Sequence, residues 1–135
     1  MKITTKTQLA LNHLRTGVIA HPTDTIYGLA CLANNLDSIK TLAVLKRRDI
    51  KKGFILLASD INYLLPYIDP NLDIDLLEKL SIPTEVATTY LVPKSKNIST
   101  LITGEHELLA VRITLNPLIS YFCENTGSAL ISTSA

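Results

Sequence analysis

Five cations crowd into seven residues at Lys46, Arg47, Arg48, Lys51 and Lys52, which is the chain's densest supply of positive charge. Arginine offers phosphate a planar fork of donors, and lysine adds a compact point charge. Lys46 and Arg48 are two apart and cannot share a helix face, yet at a helix end they can converge on one ligand. A solvated helix C-terminus would carry the same residues, because cations suit the negative end of the helix dipole. Position favours a ligand: the cluster leads straight into the apolar run Phe54-Ile55-Leu56-Leu57-Ala58, and open α/β sheets bind ligands at strand ends.

Hydroxyls gather at two other places. His21-Pro22-Thr23-Asp24-Thr25-Ile26-Tyr27-Gly28-Leu29 comes after a short apolar run. Thr23 and Thr25 there offer donors and acceptors to a small polar substrate, and Gly28 permits close backbone approach. An ordinary strand-end turn, with Asp24 capping the next segment, would have the same composition. Ser132-Thr133-Ser134 closes the chain after another apolar run and could hold the phosphates or sugar of a nucleotide. No His or Asp stands beside it in sequence, so a serine nucleophile has no support. Arg112 interrupts the strand-like Ala110-Val111-Arg112-Ile113. Strand alternation sets Val111 and Ile113 on one face and Ala110 and Arg112 on the other. If that second face lines a cleft, Arg112 is a carboxylate or phosphate clamp; otherwise it faces solvent.

Several chemistries lack their signatures. The sequence has no phosphate-binding Gly-rich loop of the Walker type, no GxGxxG and no zinc spacing, and His13, His21 and His106 are scattered. An ATP enzyme built this way must neutralise phosphates with side-chain cations. Cys31 and Cys123 lie far apart and are expected to be two buried thiols. Thirteen basic against twelve acidic side chains leave a net charge of +1, so no whole-molecule field draws the chain onto nucleic acid, and direct RNA binding is weakly supported. The first ten residues are polar rather than signal-like, and the apolar runs fall short of the ~20 residues that span a bilayer. Cytoplasm is the default expectation.

The elements that must position these residues can be read from periodicity. Apolar residues over Thr7–Leu14 form a helical stripe that Gly17 stops, and Val18–Ala20 predicts a strand ending at Pro22. A helix is expected over Ser38–Lys46 and a buried strand over Phe54–Ala58. Ser59 or Asp60 should cap a short helix through Leu65, with another over Asp73–Leu80. Thr88–Val92 and Leu108–Ile113 read as strands close enough in sequence to pair antiparallel, and Asn116-Pro117 opens a helix reaching Glu124 and closed by Gly127. A last strand starts at Ala129. With 47% hydrophobic residues and no Trp, the core is aliphatic. The whole predicts one α/β domain with a twisted, mixed parallel and antiparallel sheet and flanking helices.

Taken in order and spacing, Pro22-Thr23-Asp24-Thr25-Ile26-Tyr27-Gly28-Leu29, Lys46-x-Arg48, Leu109-Ala110-Val111-Arg112 and Ser132-Thr133-Ser134-Ala135 resemble the YrdC-like threonylcarbamoyl-AMP synthase family, from about Val18 onward. The resemblance implies a nucleotidyltransferase that makes L-threonylcarbamoyl-AMP and pyrophosphate from L-threonine, bicarbonate and ATP with Mg²⁺, for N6-threonylcarbamoylation of tRNA adenosine. It implies that Thr23 and Tyr27 shape the threonine pocket and that Arg112 grips the threonine carboxylate. Lys46 and Arg48 become the catalytic cations on the phosphates, with Lys52, Thr89, Ser132 and Ser134 facing the nucleotide. No metal ligand is implied among the side chains, and other tRNA-modification proteins are candidate partners. Where the family has a Pro after Lys-x-Arg, this chain has Asp49, and Thr84-Glu85-Val86-Ala87-Thr88-Thr89 replaces a Trp-Pro-Gly-Pro-x-Thr stretch. We expect a YrdC-like domain over residues 1–135 lacking the family's C-terminal elements. A homologue that binds nucleotide or RNA without turnover, or a related carbamoyl-transfer domain, stays open beside the synthase.

Overall fold

The computed structural model describes residues 5–22, 27–46, 54–82 and 88–134. Helix α1 (Thr5–Thr16) leads into strands β1 (Ile19–Pro22) and β2 (Tyr27–Leu32), followed by α2 (Leu36–Leu45) and β3 (Ile55–Ala58). Two 3₁₀ turns at Ile61–Tyr63 and Leu65–Tyr67 precede α3 (Ile74–Ser81). Then come β4 (Tyr90–Pro93), the single-turn α4 (Thr100–Thr103), β5 (Leu108–Ile113), α5 (Pro117–Thr126) and β6 (Leu130–Ser134).

The six strands form one sheet in the order β1-β2-β6-β3-β5-β4. Among the described residues only β3 and β5 run parallel; β1–β2, β2–β6, β3–β6 and β4–β5 are antiparallel. The mixed sheet expected from sequence is present, including the antiparallel β4–β5 pair. The parallel pair needs a long crossover, and the 3₁₀ turns, α3, β4 and α4 all lie in it.

Local chemistry explains the helix boundaries. Asn35 caps α2, its side chain accepting from Ser38 N at 3.1 Å, so the helix starts two residues before the expected Ser38. Asp73 and Asn116 cap α3 and α5 in the same way. Pro117 sits where its missing N–H is not needed. Gly127 ends α5 at φ 67°, a left-handed conformation that glycine adopts without a Cβ penalty. The helix expected through Leu65 is instead a pair of 3₁₀ turns: Asp60 caps the first, and Pro66, which cannot donate to a continuing helix, falls in the second.

One face of the sheet is sealed. Leu56, Ala58, Val92, Leu109, Val111, Ile113, Ile131 and Cys31 are all buried, and each fully buried aliphatic side chain contributes roughly 2 kcal/mol of transfer free energy. Phe122, Ile119 and Cys123 of α5 join the same core, with α5 packed against β3. Arg15 of α1 donates from Nη2 to the Asn125 carbonyl at 3.3 Å, tying α1 to the end of α5. Both cysteines are free and buried, as expected. Burial pushes the Cys31 thiol up to about 12 and also raises Cys123, against which hydrogen bonding to Ser59 acts in the opposite sense.

Candidate functional site

The sheet register decides which side chains share a face, because directly opposed residues on neighbouring strands point the same way. One continuous row runs Ile19, Ala30, Ser132, Ile55, Ala110 and Leu91 from β1 across to β4. Two residues along lie Leu32, Leu130, Leu57 and Arg112. Arg112 and Ser132 therefore belong to one face, opposite to that of Val111 and Ile131. The alternation inferred for Ala110-Val111-Arg112-Ile113 holds: Val111 and Ile113 are buried, whereas Ala110 and Arg112 are only half-buried.

Burial along this face is uneven. Towards β1 and β2 it is closed, with Ile19, Ala30 and Leu32 in the core. Towards β4 it opens: Ser132, Ile55, Ala110 and Arg112 are half-buried, Leu108 is 45% exposed and Leu91 66% exposed. An apolar floor edged by a guanidinium and a hydroxyl is the composition of a small-molecule site.

One polar contact on the open area joins two residues that the sequence had singled out separately. Arg112 donates to Thr89 Oγ1 from both Nε, at 3.0 Å, and Nη2, at 2.7 Å. Continuing the β4–β5 register by one step sets Thr89 directly opposite Arg112. Both contacts lie on the Nε–Nη2 edge of the guanidinium. The Nη1–Nη2 edge is turned away from Thr89 and matches a carboxylate or phosphate in shape.

The remaining expected site residues divide into three groups. Lys46 is half-buried at the C-cap of α2, its backbone N–H bonded to the Leu42 carbonyl at 3.0 Å, and α2 packs against β2 and α4. Tyr27 and Ser134 are described as strand positions: Tyr27 pairs with Pro22, and Ser134 with Gly28. Thr23, Arg48 and Lys52 lie outside the described residues, as do Thr25, Asp49 and residues 84–87. Gly28, expected within a substrate turn, is instead an interior strand position, paired with His21 on one side and Ser134 on the other. Its partner Ser134 lies two residues from Ser132, so Gly28 belongs to the same face as Ser132 and Arg112.

Sequence reasoning overlooked Ile55, Leu91 and Leu108 as site residues. Leu91 and Leu108 are apolar and solvent-exposed on an otherwise packed sheet, which only the register reveals. Among the described residues no group of three or more His, Cys, Asp or Glu side chains could hold a metal ion, and no helix is long and apolar enough to cross a membrane.

Comparison with known proteins finds relatives in one family. The Sua5/YciO/YrdC family model, described as telomere recombination, matches residues 13–135. The chain is 38% identical over 131 residues to a threonylcarbamoyl-AMP synthase of Pseudoalteromonas atlantica, covering 93% of this chain and 67% of that protein. It is 43% identical over 122 residues to the Haemophilus ducreyi protein of the same name, covering 87% of this chain and 65% of that one. The chain thus spans about two thirds of the length of the curated relatives it matches. Among solved structures, P. abyssi Sua5 complexed with L-threonine superposes with a TM-score of 0.82 at 23% identity, over 99% of this chain and 40% of that one. That likeness establishes the fold.

Proposed function

The chain belongs to the Sua5/YciO/YrdC family, and on that premise we propose that it forms L-threonylcarbamoyl-AMP and pyrophosphate from L-threonine, bicarbonate and ATP. The observation that carries the reading is the open sheet face that bears the Arg112–Thr89 pair and, two strands away, Ser132, with apolar residues between them. Its relatives at 38% and 43% identity bear the name of that synthase.

The chemistry needs no protein nucleophile. The threonine amine adds to CO₂ with release of a proton, or to bicarbonate with loss of water, giving a carbamate. A carbamate oxygen then attacks the α-phosphorus of ATP, the bond from that phosphorus to the bridging oxygen breaks, and pyrophosphate leaves with the electron pair. What the protein supplies is position and charge neutralisation. Arg112 grips the threonine carboxylate, with Thr23 and Tyr27 completing that pocket. Lys46, Arg48 and Lys52 hold the phosphates, Ser132 and Ser134 face the nucleotide, and Thr89, which accepts from Arg112, lies at the carboxylate end. Mg²⁺ would arrive with ATP as its counter-ion and would supply charge neutralisation, since no group of three or more His, Cys, Asp or Glu among the described residues could hold a metal ion.

The product is an activated acyl donor, consumed in threonylcarbamoylation of tRNA adenosine by other tRNA-modification proteins in the cytoplasm. With a net charge of +1, the chain itself exerts little electrostatic pull on RNA. The test is pyrophosphate release by the purified chain. It should require threonine and bicarbonate together, and Arg48→Ala should lower kcat/KM by on the order of 3 kcal/mol of transition-state stabilisation. ATP binding without threonine-dependent release would instead indicate a nucleotide-binding homologue without turnover.

A further inference from the structure

We infer that Thr89 is a positioning residue for the substrate carboxylate: its hydroxyl oxygen holds the Nε side of Arg112 and thereby aims the Nη1–Nη2 edge at the ligand. The inference rests on the synthase reading for the identity of that ligand, but its geometry stands independently. A guanidinium has five N–H donors in a fixed plane. Two of them, on Nε and Nη2, converge on Thr89 Oγ1 at 3.0 and 2.7 Å. Two contacts from one edge hold that edge towards Oγ1 and restrict the guanidinium more than a single contact would.

Three donors remain, on Nη1 and on the far side of Nη2. They make the end-on fork that a carboxylate accepts through two parallel bonds. Thr89 accepts two hydrogen bonds, which uses its lone pairs, and keeps one O–H donor for an acceptor oxygen of the ligand. The hydroxyl is thus suited to meet a carboxylate or phosphate oxygen and unsuited to meet a donor. β4 and β5 supply the rigidity, since Thr89 continues the register that pairs Tyr90 with Val111 and Leu91 with Ala110. Without that hydroxyl, a half-buried arginine on an open face keeps its charge and loses its aim.

The test uses the full chain with Thr89→Val, Thr89→Ser and Arg112→Ala, alone and combined. Exchange of the Arg112 Nε–H with solvent, read by ¹⁵N-resolved NMR, should be slow in the parent, faster in Thr89→Val and slow again in Thr89→Ser. Calorimetric affinity for L-threonine should fall about tenfold in Thr89→Val, the size of one charge-assisted hydrogen bond, and recover in Thr89→Ser. In the Arg112→Ala background Thr89→Val should cost markedly less than in the parent. Nε–H exchange unmoved by Thr89→Val overturns the inference. So does faster exchange with threonine affinity intact, or an undiminished Thr89→Val effect in the Arg112→Ala chain. A parent chain that binds no L-threonine overturns the synthase reading, and the exchange measurement tells that failure apart, because it still reports whether Thr89 holds Arg112.

Discussion

Ser132 and Ile55 are cross-strand partners where β6 meets β3, and Ile55 is in turn opposite Ala110 on β5. A hydroxyl from the last strand is thereby set two strands from the column that carries Arg112. Strands are spaced about 4.8 Å apart, so the two columns stand roughly 10 Å from each other. That separation suits a ligand with a carboxylate at one end and a nucleotide at the other, laid across Ile55.

Ala110 occupies the middle of that row, half-buried between Ile55 and Leu91. Its methyl group leaves the floor low. Ala110→Leu adds bulk above the floor and not into the sealed core, so thermal stability should stay within a few degrees. The KM for threonine or ATP should rise about tenfold or more, as expected when a misplacement of about 1 Å spoils alignment. Unchanged kcat/KM in a folded Ala110→Leu protein would remove the row from the site.

Arg112 should tolerate no cation in its stead. Arg112→Lys keeps the charge but loses the planar fork and the double contact to Thr89. Threonine-dependent pyrophosphate release should fall about a hundredfold, on the order of 3 kcal/mol, and Arg112→Ala should fall at least as far. Recovery of most activity in Arg112→Lys would mean that Arg112 acts as a point charge and not as a fork.

Sequence pattern made some of this legible and hid the rest for physical reasons. β5 stands at Leu108–Ile113 as expected because Leu109-Val111-Ile113 alternates with less apolar neighbours and is sealed on one side only. β2 went unread: Tyr27-Gly28-Leu29-Ala30-Cys31-Leu32 contains Gly and Ala, which are poor in intrinsic strand preference. It is a strand because β1 and β6 hydrogen-bond to both its edges. α4 is a single turn, too short to show a period. Arg112 and Thr89 were each visible as candidates, but their contact spans 23 positions in sequence and emerges only from the β4–β5 register.

The two faces of the sheet should answer differently to truncation. Leu56 is fully buried on the sealed face, and Leu56→Ala should cost about 2–5 kcal/mol in denaturant unfolding. Leu91 is 66% exposed on the open face, and Leu91→Ala should stay within about 0.5 kcal/mol. Equal losses would show that Leu91 is covered in solution.

α5 carries Phe122 and Cys123 into the core, so its ends matter. At Gly127, φ is 67° and an added Cβ would meet nothing within 4 Å, which leaves backbone strain as the whole effect. Gly127→Ala should therefore destabilise by about 1–2 kcal/mol, and Gly127→Asn by less, since Asn tolerates the left-handed region. Asn116→Ala, which removes the acceptor for Leu118 N at 2.9 Å, should cost about 1 kcal/mol. A Gly127→Ala protein as stable as its parent would show that the αL turn is not kept in solution.

Alkaline pH should weaken the fold through Cys31. Burial raises this thiol from 9.0 to about 12, so the folded chain keeps its proton where the unfolded chain releases it. Between pH 9 and 12 the folded state binds more protons, and stability falls as pH rises. The contribution is fully present below pH 9 and gone above pH 12. Cys123 shifts in the same direction and adds to the slope. Cys31→Ala removes the titrating thiol, so the stability gap between the parent and Cys31→Ala should narrow steadily above about pH 9, by several tenths of a kcal/mol or more per pH unit. Denaturant midpoints at about pH 8, 9 and 10 measure it. A gap that holds constant over that range would mean that the Cys31 thiol ionises in the folded protein as readily as in the unfolded one.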